Sequence, residues 1–303
     1  MDRQVTKDRL PRMNWIARIS LALAALAIAA PTAAFAGGER EVSRSTTFGG
    51  SCPKCELSGR RLSGAHFVAA DFREAAMVGS DLRSAQFIAS TFISANLSKA
   101  DLTSAEIVGS NFSGANLSHA RLRSAEAHAV VFTGADLSRA DLTSIEANAA
   151  NFSKALLGGA ILRSSELTAA NFTKADARGA DFTSSELNHA QLSGGRFGKA
   201  SFRSAELNGT VFGDGDFDGA DFSSADLQGA IIIGADLSRA RGLSQDQLDE
   251  ACADSRTKAP PGLSVRACHH IPLPRVVVSI PSPPAPPPAP RPPRYLIQVD
   301  PTP

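Results

Sequence analysis

The chain has 303 residues, a formal net charge of +1 at pH 7, 43% hydrophobic residues and 6% aromatic residues. That length allows two ordinary domains, but balanced charge leaves no overall basic footprint for nucleic acid. The four cysteines suit an oxidising compartment better than a reducing one.

Residues 1–36 read as a secretory leader. Arg3, Lys7, Arg9, Arg12 and Arg18 make a basic start, and an uncharged run follows from Ile19 to Ala36. It ends in Ala34-Phe35-Ala36 before Gly37, a small-x-small cleavage pattern. The alternative is an uncleaved anchor, because the run is close to the shortest spanning length. Pro31 and the small residues beside it favour cleavage and a periplasmic or extracellular mature protein. Residues 37–51, rich in Gly, Ser and Thr, form a linker or N-terminal cap. Cys52-Pro-Lys-Cys55 then closes that end. Cys52 and Cys55, with Cys252 and Cys268, are candidate structural disulfides. A zinc site would need a second close pair, and a thioredoxin-like role would need a surrounding βαβ pattern. Free or redox-active thiols remain the other reading.

From Leu57 to Leu237 a large apolar residue returns at every fifth position, 37 units in register. Three of these centres are only Ala (Ala127, Ala147, Ala177) and one is Met77. A helix repeats near 3.6 and a strand near 2; five requires a unit that turns a corner each time. Every fourth centre shares a column. One reads Phe72, Phe92, Phe112, Phe132, Phe152, Phe172, Leu192, Phe212, and another runs from Leu82 to Leu162 and then Phe182, Phe202, Phe222. Four units therefore close one turn, and residues twenty apart stack on neighbouring coils. The centre and the small residue two before it point inward. The residue between them, Asp, Asn or Glu, points outward. Ala127 and Ala147, adjacent on one face, predict a thin spot.

These units, Phe112-Ser-Gly-Ala-Asn-Leu117 and Phe132-Thr-Gly-Ala-Asp-Leu137 among them, resemble the pentapeptide-repeat family. The resemblance implies an all-β fold, a right-handed quadrilateral parallel β-helix over residues 52–241. At about 4.8 Å per coil, about nine coils would make a rod about 45 Å long. With the leader, the chain reads as an exported bacterial member of that family.

Residues 242–270 form a C-terminal cap. Ser244 with Gln247 is a capping-box signal and predicts a short helix from Gln245 to Ala253. A Cys252–Cys268 bond would pin the following loop over it. The Gly242-to-Leu263 run is similar to the ends of many bacterial members of the family. Residues 271–303 are a Pro-rich tail with no core, expected in polyproline II.

No catalytic constellation, phosphate loop or His cluster lies in the repeats. The narrow core leaves no pocket, so the chain reads as no enzyme, with no cofactor and no metal. His66, His119, His128 and His189 read as solvated surface residues. One outer column is organised: Glu106, Glu126, Glu146, Glu166, Glu186 and Glu206, with Gln86 before and Asp226 after. Like charges about 5 Å apart repel by about 1 kcal/mol in water. Arg83, Arg123, Arg163 and Arg203, three residues before alternate members, read as the counter-charges. The stripe is a candidate docking surface for a protein partner. Its alternative is a row of solvated charges left by duplication of a forty-residue unit.

The leading function is an exported scaffold or protein-interaction module. The family resemblance also implies a DNA-mimicking, topoisomerase-binding role, which needs a cytoplasmic, strongly acidic rod. A third reading is a cell-envelope element tethered through its Pro-rich tail.

Overall fold

The computed structural model describes residues 47, 48, 50 and 52–268. All belong to the second of the chain's two compact units, Ser43–Pro303. The expected leader 1–36, most of the linker 37–51 and the tail 271–303 lie outside the described residues.

The described chain winds as a parallel β-helix. Each pentapeptide contributes one parallel bridge and one two-residue turn, and the bridges join residues twenty apart, such as Asp81 to Asp101 and Glu126 to Glu146. Four turns in twenty residues give four faces. The first carries the centres from Leu57, the second from Leu62, the third from Phe67 and the fourth from Phe72. Where the third face begins, the bridges lengthen into short strands. These are β1 (Thr47–Phe48), β2 (His66–Val68) and β3 (Gln86–Ile88), in the order β1-β2-β3. Thr47 pairs with His66, nineteen residues on, so this first step is one residue shorter than the next, which sets His66 against Gln86.

The turn explains the polar half of the repeat. In most units the carbonyl of the centre accepts from the N–H three residues on, as in Ala115 to Phe112 at 3.0 Å. The second turn residue is left-handed, with φ 55° at Ser104 and 59° at Lys154. The N–H of the first turn residue meets no backbone carbonyl in these turns. The Asp or Asn just before the centre supplies an acceptor instead. Its Oδ1 accepts from Thr103 N at 3.1 Å (Asp101), Ser113 N at 2.9 Å (Asn111) and Thr183 N at 3.0 Å (Asp181). A short side chain with an oxygen at that distance is what the corner requires.

The interior is filled by side chains. On the fourth face the rings of Phe92, Phe112, Phe132, Phe152 and Phe172 stack with centroids 4.5, 5.4, 5.0 and 4.8 Å apart. Phe182, Phe202 and Phe222 stack on the second face at 5.0 Å per step. Ala127 and Ala147 are fully buried, and so are Val130 and Ile145, which take neighbouring inward sites normally held by Ala. These larger residues offset the volume expected to be missing there. Hydroxyls at inward sites are paired with carbonyls: Ser110 Oγ donates to Phe87 O at 2.5 Å and Thr210 Oγ1 to Leu187 O at 2.6 Å.

Beyond Arg241 the five-residue register stops but the ladder does not. Helix α1 (Gln245–Asp249) begins with the Ser244/Gln247 capping box. It ends before the Ala253 expected from sequence, because Cys252 leaves it to bridge Ile231. Leu248 is buried. Gln247 Nε2 donates to Phe222 O at 3.1 Å and Ala225 O at 2.6 Å. In every regular coil a carbonyl such as that of Ala205 accepts the backbone N–H of the coil above, here Asp226. A side-chain amide does that work at Ala225, where the backbone has turned helical. Lys258 then bridges Asp236, and Ala267 bridges Ala253.

Lys258 Nζ also donates to Asp236 Oδ2 at 2.7 Å, and Ser238 Oγ to its Oδ1 at 2.6 Å. These bonds, the lysine first, hold the Asp236 carboxyl down from 3.8 to about 2. A depressed carboxylate stabilises the fold fully above its unfolded value and loses that contribution as pH falls through its folded value. Thermal melts between pH 5 and pH 2 are therefore expected to show stability falling below about pH 4. Asp236→Asn should flatten part of that slope; an unchanged slope would rule out the clamp.

Candidate interaction surface

The third face carries the carboxylate column. Parallel bridges join Gln86 to Glu106 and run on through Glu126, Glu146, Glu166, Glu186 and Glu206 to Asp226. The second turn residues on either side are small: Ser84, Ser104, Ser124 and their equivalents up to Ser224 on one, mostly Ala and Gly on the other. The first turn residues are larger, Arg and Thr in alternation from Arg83 to Arg203 on one side and His128, Asn148 and Asn188 among those on the other.

Their partners differ from the sequence expectation. Arg83, Arg123 and Arg163 turn to the aspartate column of the second face and engage Asp81, Asp141 and Asp181. Asp221 is held below the usual carboxylate range first by the Ser223 hydroxyl and then by the charges of Arg203 and Arg241. The arginines thus serve aspartates of the second face, Arg83 that of its own coil and Arg123 and Arg163 those of the next.

Side-chain amides hold two of the glutamates, and a histidine stands beside a third. Asn148 Nδ2 donates to Glu166 at 3.3 Å and Asn188 Nδ2 to Glu206 at 3.0 Å. His128 Nε2 stands 3.6 Å from Glu146. Each asparagine also accepts a turn N–H from the coil above, Thr168 N at 3.0 Å on Asn148 and Asn208 N at 3.1 Å on Asn188. On this face each of these asparagines caps the corner of the coil above and fixes a carboxylate as well. Sequence reasoning missed this role; its signal was Asn recurring at 148, 188 and 208.

A second feature was also missed. Leu156 and Ile161, 48% and 38% exposed, interrupt the Asp columns of the first and second faces in one coil. Gly158 and Gly159 form the corner between them.

The expected disulfides are present as Cys52–Cys55 and Cys252–Cys268. Among the described residues no group of three or more His, Cys, Asp or Glu is placed to hold a metal ion. No helix among them is long and apolar enough to cross a membrane.

The family described as Pentapeptide repeats, in 8 copies, matches residues 54–87, 80–118, 110–145, 148–183, 185–223 and 205–241. No curated protein is similar to the chain. Among solved structures, HetL resembles it at 26% identity, covering 71% of this chain and 92% of that one, with a TM-score of 0.49. HetL is a pentapeptide repeat protein involved in heterocyst differentiation regulation from the cyanobacterium Nostoc sp. strain PCC 7120. QnrB1, a plasmid-mediated fluoroquinolone resistance protein, is 24% identical over 63% of this chain and 89% of its own, with a TM-score of 0.31. A pentapeptide repeat protein from the Arabidopsis thaliana thylakoid lumen is 28% identical over 32% and 61%, with a TM-score of 0.25. Matched units across most of the described residues, wound as a right-handed β-helix solenoid, make this chain a member of the pentapeptide-repeat family.

Proposed function

We propose that the chain is an exported, non-enzymatic scaffold whose third face docks a basic protein surface. The observation that carries this reading is the carboxylate column in bridge register, with Glu166 and Glu206 held by Asn148 and Asn188 and His128 beside Glu146. Fixed, evenly spaced charges lose little entropy on meeting a partner and favour complementary potentials. Members of the family are generally structural or interaction modules.

Export rests on the leader-like residues 1–36 and on two disulfides, which suit the periplasm or the outside of the cell. The mature protein would be a solenoid of about nine coils over 52–241, closed by the 242–270 cap with α1 over its last coil, and followed by the 271–303 tail. Tethering of an envelope element through that tail is the structural variant of the same reading. DNA mimicry is disfavoured because residues 56–241 carry 21 acidic and 17 basic residues, a net of −4, too weak a field to imitate a duplex.

Glu146 and Glu166 changed together to Lys should abolish recovery of the partner in affinity capture from the native cell envelope. Equal recovery by both proteins would remove the third face as the docking surface.

A further inference from the structure

Cys52 and Cys55 are built into the repeat. Cys52 stands twenty residues before Phe72, at a centre position, and Cys55 twenty before Ala75, at the small inward site. Their backbone bonds are those of every later coil. Cys52 N donates to Asp71 O at 2.7 Å, Lys54 N to Arg73 O at 2.8 Å, and Ala76 N to Cys55 O at 2.9 Å. Cys55 N closes the turn on Cys52 O at 3.3 Å, and Lys54 is left-handed at φ 60°, as Glu74 is at 56° one coil on.

The coil therefore holds the two Cα atoms 5.4 Å apart, within the roughly 4.4–6.8 Å a disulfide takes, whether or not the sulfurs are joined. Joining residues three apart removes about half the loop entropy that the sixteen-residue Cys252–Cys268 link removes from the unfolded chain. The bond is thus not needed to hold its coil. Both cysteines are half-buried rather than enclosed.

We propose that Cys52–Cys55 is a thiol–disulfide exchange site that takes two electrons from a dithiol whose two thiols can close an unstrained disulfide ring, as a 1,4-dithiol does. One thiolate of the dithiol attacks a sulfur of the pair. The Cys52–Cys55 bond breaks, a mixed disulfide forms, and the released cysteine thiolate takes up a proton. The second thiol of the dithiol loses its proton and attacks the donor's own sulfur in the mixed disulfide; the bond to the protein sulfur breaks, and the departing cysteine thiolate takes up a proton. This leaves two protein thiols and a cyclic or intramolecular disulfide on the donor. The coil does not open, because its hydrogen bonds do not pass through sulfur.

The test uses the full-length protein under native conditions with rising dithiothreitol, quenched by iodoacetamide and read by peptide mass spectrometry. Cys52 and Cys55 should become alkylated at a dithiothreitol concentration at least about tenfold below that needed for Cys252 and Cys268. Far-UV circular dichroism should stay unchanged through that first step. Equal or reversed order of reduction, or loss of coil structure on reducing Cys52–Cys55, would overturn the proposal. In a second arm, Cys55→Ser incubated with oxidised glutathione should gain one glutathione adduct on Cys52. A folded Cys55→Ser protein that gains none would also overturn it.

Discussion

Phe152→Ala is expected to destabilise the solenoid by about 3–5 kcal/mol, measured by urea unfolding followed by circular dichroism. Phe152 is fully buried and lies inside a continuous stack, 5.0 Å from Phe132 and 4.8 Å from Phe172. Truncation removes the transfer energy of a ring and leaves a hole between two others. The coils above and below are fixed by backbone bridges twenty residues apart, such as Asn151 to Asn171, so the site cannot collapse to fill it. Phe152→Leu should cost less than about 1.5 kcal/mol, since Leu192 already stands in the same column without exposure. Solenoid stability is a sum over neighbouring repeats, so the Ala variant should also broaden the transition. Equal costs for Ala and Leu would mean that the stacked rings contribute nothing special to the column.

The interior was legible in the sequence because every coil must place an apolar residue at the same two sites. A period of five with a superperiod of twenty therefore fixes the faces and the stacked rings from Phe72 to Phe172. The outer charge pairing was not legible, for a geometric reason. Arg123 lies three residues from Glu126 but eighteen from Asp141, and proximity along the chain favours the glutamate. The turn sends the arginine back along its own face, where the bridge between Arg121 and Asp141 sets the next coil's carboxylate within 3.5 Å. The work of Asn148 and Asn188 was equally hidden, since it depends on which turn N–H is left without a carbonyl. The end of α1 was misjudged because helix propensity continues to Ala253, while bridging of Cys252 to Ile231 stops the helix four residues earlier.

A signal that was present and unread gives the sharper test. Only Gly195 and Gly215 are glycine among the small inward sites from 65 to 240. Each stands two residues before the only two phenylalanines on the first face, Phe197 and Phe217, whose rings stack at 5.2 Å. A Cβ on Gly195 would lie 2.5 Å from Phe197 Cε2, and one on Gly215 2.7 Å from Phe217 Cε2. Gly195→Ala should therefore destabilise by about 1–3 kcal/mol through overpacking. This reverses the gain of about 0.4–1 kcal/mol that removing a glycine's unfolded-state freedom usually brings. Phe197→Leu rebuilds the layer seen at Ala155 and Leu157, where both residues are fully buried without conflict. In the Phe197→Leu background the Gly195→Ala change should be neutral or stabilising. The double-mutant cycle should then show a coupling energy above about 1 kcal/mol. Equal cost of Gly195→Ala in both backgrounds would mean that the glycine answers to the backbone alone and not to the ring.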